Sequence, residues 1–290
     1  MAKYHRLGLL VFCVTVLAAC SVMALPAEST VRPERPATNP LPTLVPTFLP
    51  QPTITAQPPD TGWHSIHPGI EVRSVDVLAD SLIDRVSIAR LDPQAVTLRV
   101  EYSPGVAYPV SVWAQRLGAL LVVNGGYFTE EARVTGLTVV DGQPFGTSYG
   151  DFAGMVAVTA DGVSSVRWLR TWPFDPAEPL QSAIQSFPVL VKPGGMMGFP
   201  ADGDDGSASR RTVVAQDDQG RILLLAAPRG YLSLHALAVW LAESDLDLDI
   251  ALNLDGGTST GFWMAGGSAV GGTQIESLTA VPAVIGVFAR

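Results

Sequence analysis

Two short segments deliver a polar side chain and then a pair of glycines. Leu120-Leu121-Val122-Val123-Asn124-Gly125-Gly126-Tyr127-Phe128 is an apolar run ending in an amide; Ile250-Ala251-Leu252-Asn253-Leu254-Asp255-Gly256-Gly257-Thr258-Ser259-Thr260 repeats the device with a carboxylate. Glycines lack Cβ atoms, so backbone N–H groups at Gly125, Gly126, Gly256 and Gly257 can approach a ligand closely and cradle an anion, while Asn124 can bond a sugar hydroxyl in either sense. An acid at the end of a buried strand is partly desolvated, which raises its pKa and suits Asp255 to general acid or base work. The plainer readings are a tight turn formed by Asn124 and an Asx turn at Asp255. Ser209-Arg210-Arg211-Thr212 adds two guanidinium groups, whose planar forks grip phosphate or carboxylate in two parallel bonds. Otherwise they are a surface pair balancing Asp202, Asp204 and Asp205.

Other chemistries fail on context. Gly257-Thr258-Ser259-Thr260-Gly261 matches the G-x-S-x-G elbow, but no histidine follows Ser259 and Phe262-Trp263-Met264 reads as a strand or turn instead of a helix. Asp202-Gly203-Asp204-Asp205-Gly206 lacks EF-hand spacing, with Val213 where the closing Glu belongs, and reads as a flexible loop. His64, His67 and His235 read as domain-edge and core-edge residues, so neither a metal nor a cofactor is expected. Trp168, Trp172 and Phe174 around Pro173 are either a sugar-stacking platform or a plug at a core edge. The only cysteines, Cys13 and Cys20, exclude a disulfide framework or thiol nucleophile further along.

These groups need strands to hold them. Short β-branched runs recur at Ile70 to Leu78, Val86 to Leu91, Ala95 to Tyr102, Leu120 to Val123, Val134 to Val140, Met155 to Val158, Val163 to Leu169, Thr212 to Ala215, Ile222 to Ala226, Ile250 to Leu254 and Ala283 to Phe288. Asp141-Gly142, Asp161-Gly162 and Asp217-Asp218-Gln219-Gly220 suit hairpin turns, so antiparallel pairing is expected. Two helices are predicted, Val110 to Leu117 and Leu234 to Glu243, the second capped by Ser233. The expected fold class is α+β: strand-rich mixed or antiparallel sheets with a few packed helices in a single catalytic-type domain.

Of 290 residues 47% are hydrophobic and 16% charged, enough for a sizeable core. Eighteen basic residues against 27 acidic ones give a formal charge of −9, the wrong balance for a nucleic-acid partner. Lys3 and Arg6 precede an apolar run from Leu7 to Ala19, shorter than the roughly 18 residues of a membrane-spanning helix, which reads as an export signal. Its end, Leu17-Ala18-Ala19-Cys20, resembles the bacterial lipoprotein box; that resemblance implies cleavage before Cys20, lipidation of its thiol, and an exported domain held to the cell membrane by its N-terminal lipid. Residues 21–60 contain ten prolines and six threonines and no glycine, and read as an extended tether. Residues 61–290 hold 27 of the 28 glycines and are expected to be the domain.

Asn124-Gly125-Gly126-Tyr127-Phe128, Pro188-Val189-Leu190-Val191, Arg211-Thr212 and Asn253-Leu254-Asp255-Gly256-Gly257-Thr258-Ser259, in this order, resemble the phosphodiester glycosidase family over residues 61–290. Two departures stand out: Thr258 and Thr260 flank Ser259 where the family usually shows Gly-Ser-Ser, and Gln185-Ser186-Phe187 replaces a glycine-rich stretch. The resemblance implies hydrolysis of a sugar-1-phosphodiester in a cell-envelope or extracellular glycan. Asp255 would activate water or stabilise the oxocarbenium-like centre, Arg211 would neutralise the departing phosphate, and Asn124 would orient a hydroxyl. Arg210, Gly125, Gly126, Gly256, Gly257, Thr258 and Ser259 would complete the substrate-binding surface. The alternative is a non-catalytic envelope protein that binds phosphorylated glycans.

Overall fold

Alternating apolar and polar residues make Ile70–Ala79 and Leu82–Leu91 two strands of a hairpin, and Asp80, with φ 53°, turns the chain between them. A computed structural model describes residues 58–266 and 274–290. The signal, Cys20 and the tether as far as residue 57 lie outside the described residues. In chain order the strands are β1 (His64–His67), β2 (Ile70–Ala79), β3 (Leu82–Leu91), β4 (Val96–Tyr102), β5 (Leu121–Asn124), β6 (Thr138–Val140), β7 (Gln143–Phe145), β8 (Gly154–Thr159) and β9 (Ser164–Trp168). They continue as β10 (Leu180–Ser186), β11 (Val189–Lys192), β12 (Met196–Met197), β13 (Ser209–Asp217), β14 (Ile222–Leu232), β15 (Leu248–Asn253), β16 (Phe262–Met264) and β17 (Ala283–Ala289). Helix α1 (Val110–Leu117) precedes β5 and α2 (Leu234–Glu243) precedes β15.

Three sheets result. One has eight strands in the order β1-β2-β3-β14-β13-β15-β11-β12, one has five in the order β7-β6-β10-β8-β9, and one has four in the order β16-β5-β17-β4. The pairing is antiparallel throughout, as the turns require. Strand β14 shows how the layers form. Ile222, Leu224 and Ala226 enter a central core shared by all three sheets, whereas Leu223, Leu225 and Ala227 enter a second core beneath Leu237, Ala238 and Leu241 of α2. A strand covered on both faces reads as a continuous apolar run because its period of two is hidden. Helix α1 covers the four-stranded sheet through Val110, Trp113 and Ala114.

With two helices among the described residues, the architecture is mostly β, and the α+β expectation is corrected on that point. Both helices run over the residues the sequence predicts, and Ser233 caps α2 by accepting from the Ala236 N–H at 3.1 Å. Strands β1, β7, β10, β11 and β12 are absent from the sequence-based runs, and two cases show why tertiary information was needed. Leu180–Ser186 carries Ser182, Gln185 and Ser186, yet it is the buried central strand of its sheet. Of Val134 to Val140 only Thr138–Val140 is a strand, the earlier part forming an irregular loop. Pro58 and Pro59, placed in the tether by composition, already bond the folded body: their carbonyls accept from Arg85 and from the Asp76 N–H.

Candidate functional site

Strand β5 ends in Asn124 and β15 ends two residues before Asp255, and the two strand ends meet. The Asp255 N–H donates to the Gly125 carbonyl at 3.1 Å, while Asn124 Nδ2 donates to the Asp255 carbonyl at 2.6 Å and to that of Gly125 at 3.3 Å. On its other side, Asn124 Oδ1 accepts from Thr212 Oγ1 at 2.8 Å and from the Gly261 N–H at 3.0 Å. Asn124 is fully buried and both ends of its amide are occupied inside the protein. The expectation that it orients a substrate hydroxyl is therefore corrected: it clamps the loop that carries the acid to strand β13.

The glycines have a similar explanation. A Cβ on Gly125 would lie 2.9 Å from the Ala283 carbonyl oxygen in β17, one on Gly126 would lie 2.8 Å from that of Gln185 in β10, and one on Gly256 would lie 2.7 Å from that of Arg210 in β13. Each glycine permits a close backbone approach: Gly125 and Gly256 to the neighbouring strand of the sheet they extend, and Gly126 to the five-stranded sheet. Gly125 also donates its N–H to Ala283 at 2.9 Å, which corrects its assignment to an anion cradle. Gly126 is buried against β10. Gly257 begins a single 3-10 turn to Ser259 with φ 59°, a conformation that favours glycine.

Asp255 is partly exposed above this joint. Burial raises its carboxyl above the ordinary carboxylate value, against hydrogen bonds from Ser259 and from the Gly256 N–H, the latter at 2.9 Å to Oδ1. Tyr127 lies beside it: burial first, then the Asp255 carboxylate, push its hydroxyl up to about 12, and Arg211 opposes them. The Tyr127 hydroxyl donates to the Phe187 carbonyl at 2.9 Å and accepts from Asn253 Nδ2 at 3.0 Å. Arg211 is partly buried; its Nε donates to Leu232 O at 3.1 Å and one terminal nitrogen to Ser207 O at 2.7 Å. Burial lowers its pKa, countered by Tyr127, Asp204 and Asp205, but a guanidinium remains charged across any ordinary pH. A carboxylate, a phenol and a guanidinium therefore share one electrostatic neighbourhood.

Arg210 and Arg211 bond different parts of the chain. One terminal nitrogen of Arg210 donates to the carbonyls of Thr260 at 2.8 Å and Glu276 at 2.9 Å, so it braces the loop after Asp255. Thr258 is exposed, and its carbonyl accepts from Leu278 and Thr279. Ser259 is buried and serves Asp255. The acidic loop is tied down: burial raises Asp204, but hydrogen bonds from Ser233 and the His235 N–H outweigh it and leave its pKa lowered. His235 Nδ1 is bonded to Phe199 O at 2.9 Å, His64 and His67 bond nearby carbonyls, and no cluster of metal-ligating side chains occurs among the described residues. The residues that sequence reasoning left without a role are Tyr127, Thr212 and Asn253. All three stand inside the motifs, and only the fold shows that they bond one another's strands.

A family model for phosphodiester glycosidases matches residues 117–288, which contain Asn124, Arg211 and Asp255. The chain belongs to the phosphodiester glycosidase family. Among solved structures, the catalytic domain of zebrafish N-acetylglucosamine-1-phosphodiester alpha-N-acetylglucosaminidase, auto-inhibited by its pro-peptide, is similar with a TM-score of 0.60 at 20% identity over 78% of this chain and 86% of that one. A hypothetical protein from Synechocystis gives 0.55 at 17% identity, over 81% of this chain and 64% of that one. A protein from Burkholderia pseudomallei gives 0.51 at 16% identity, over 73% and 76%. At these identities the likeness is one of fold. No curated protein sequence matches this chain.

Proposed function

We propose that this phosphodiester glycosidase hydrolyses the bond between an anomeric carbon and a phosphate oxygen in a sugar-1-phosphodiester of an envelope or extracellular glycan. The observation that carries the reading is that the partly buried carboxyl of Asp255 and the guanidinium of Arg211 both act on the Tyr127 hydroxyl, in opposite senses. A water oxygen attacks the anomeric carbon as its proton passes to the Asp255 carboxylate, whose raised pKa makes it a better base than an exposed aspartate. The bond from that carbon to the phosphate oxygen breaks, and the electron pair leaves with a phosphate monoester. Such a leaving group is already a weak base, so the barrier depends on neutralising its charge, the task of Arg211. Tyr127, held by Asn253 and Phe187, lines the sugar side and stays protonated. The relative whose name supports this reading acts on N-acetylglucosamine-1-phosphodiesters.

The anchored, exported setting is part of the same proposal and rests on the leader and Cys20. The test is turnover of a panel of sugar-1-phosphodiesters by the purified protein, with phosphate monoester and free sugar measured together. The two should appear in equal amounts and the Asp255→Asn protein should release neither. Saturable binding of diesters with no release by the unaltered protein would replace hydrolysis by glycan binding.

A further inference from the structure

A cavity of about 490 Å³ opens beside the site, walled by the aromatic rings of Phe152, Trp168, Phe187 and Phe199 and carrying two cations, Arg170 and Lys192. Phe187 is the partition. Its ring stands 4.6 Å from that of Tyr127 and 5.6 Å from that of Phe152, and its carbonyl is the one that receives the Tyr127 hydroxyl. Whatever occupies the cavity is thus one aromatic ring away from the phenol that feels the Asp255 carboxylate.

The cavity's chemistry is unlike that of the surrounding surface. The sequence contains two lysines, Lys3 and Lys192, so the folded part of an acidic chain places its one lysine here. Lys192 Nζ lies 5.5 Å from the centre of the Trp168 ring and the Arg170 guanidinium 5.2 Å from it. Arg170 has one partner, the exposed Asp151 at 3.1 Å, and among the described residues no carboxylate pairs with Lys192. Phe152 is 53% exposed, an open aromatic face at the rim. The floor is tightly built: Gly198 donates to Leu190 O at 2.7 Å, and a Cβ there would lie 2.5 Å from the Val189 carbonyl oxygen.

Aromatic faces accept the apolar C–H face of a pyranose, and the cations around one of them call for a negative charge on that sugar. We infer that this cavity is a subsite for an anionic sugar unit, one bearing a carboxylate or a phosphate, next to the scissile phosphodiester. Resting on the hydrolytic reading, the inference narrows it: the preferred substrate is a charged glycan that continues past the phosphate, and a small capped sugar phosphate leaves the cavity empty.

Two glycosyl-1-phosphodiesters that differ only in their distal sugar, methyl glucuronoside against methyl glucoside, test this. The protein should cleave the glucuronoside diester with kcat/KM at least tenfold higher, and Lys192→Gln with Arg170→Gln should bring that ratio below twofold. Calorimetric titration of the Asp255→Asn protein with the same pair gives an arm independent of turnover. Tighter binding of the glucuronoside diester that Lys192→Gln and Trp168→Ala abolish supports the subsite even if neither compound is cleaved, in which case the hydrolytic reading alone fails. Equal affinity and equal kcat/KM for the two diesters, or a preference the variants leave intact, overturns the subsite even where both are hydrolysed.

Discussion

Asn124 Nδ2 reaches the main-chain carbonyl of Asp255 across 131 positions of sequence at 2.6 Å. The same amide holds Thr212, the residue after Arg211, through its oxygen at 2.8 Å. One buried side chain thus ties the loop that bears the carboxylate to the strand that bears the guanidinium.

Asn124→Ala should therefore act mainly on stability. It strands the Asp255 carbonyl, the Gly261 N–H and the Thr212 hydroxyl, and with about 1–3 kcal/mol lost for each buried group left unpaired, a loss of at least ~3 kcal/mol is expected. Urea unfolding measures it. A fully stable variant with lost activity would instead restore a direct substrate role for the amide.

Asp255→Asn should lower kcat on a cleavable diester by about 10²–10⁴-fold, the range for removing a general base. Stability should move the other way. The folded protein keeps the Asp255 proton at pH values where the unfolded chain, near 3.8, has lost it, so its contribution to stability falls as pH rises from 3.8 through the raised folded value. The asparagine protein escapes that fall. Its Tm should exceed that of the unaltered protein at pH 7, with the gap closing below 3.8; a Tm difference of constant sign and size across this range would contradict the burial argument.

Arg211→Ala should reduce kcat/KM for a sugar phosphodiester by about 10²–10³-fold, as when one preorganised group is taken from a developing anion. Arg211→Lys should recover part of it, because charge returns without the planar fork. Assay of both variants against an uncharged aryl glycoside completes the comparison: equal losses on the charged and uncharged substrates would show that Arg211 acts on the loop at Ser207 instead of on phosphate.

Gly126→Ala places a methyl group 2.8 Å from the Gln185 carbonyl oxygen, where backbone must shift. Overpacking of this kind costs about 1–3 kcal/mol. Thermal unfolding should show the loss. An alanine protein as stable as the original would mean that β10 does not cross there.

Asp60 and Arg73 form an ion pair at 2.6 Å. The Arg73 hydrogen bond, helped by the Gly62 N–H, lowers the Asp60 carboxyl to about 2. Its stabilisation is present above 3.8, the unfolded value, and is lost as pH falls through about 2. Asp60→Asn should lower Tm at pH 7 and differ less and less from the parent as pH approaches 2.

Local sequence carries what local physics decides. Helices Val110–Leu117 and Leu234–Glu243 are legible because apolar spacing and the Ser233 cap need no distant partner. The hairpin turn at Asp141-Gly142 is legible because both residues adopt positive φ, at 47° and 74°. Strand β10 is hidden because Ser182 and Gln185 look solvent-facing, whereas both are buried in the assembled fold, Gln185 accepting from the distant Tyr149 N–H.

The residue types at 124, 211 and 255 follow from the chain alone, as does the chemistry of an amide, a guanidinium and a carboxylate beside paired glycines. Which way each side chain faces does not. Arg210 and Arg211 are chemically identical neighbours, yet an irregularity in the pairing of β13 with β14 at Arg210 accompanies different partners: Arg210 reaches the Thr260 loop and Arg211 the Leu232 and Ser207 carbonyls. Asn124 could have met solvent, but Asp255, Thr212 and Gly261, all far along the chain, close around its amide and bury it. Orientation and burial are properties of contacts between strands far apart in the chain, and only the assembled sheets contain them.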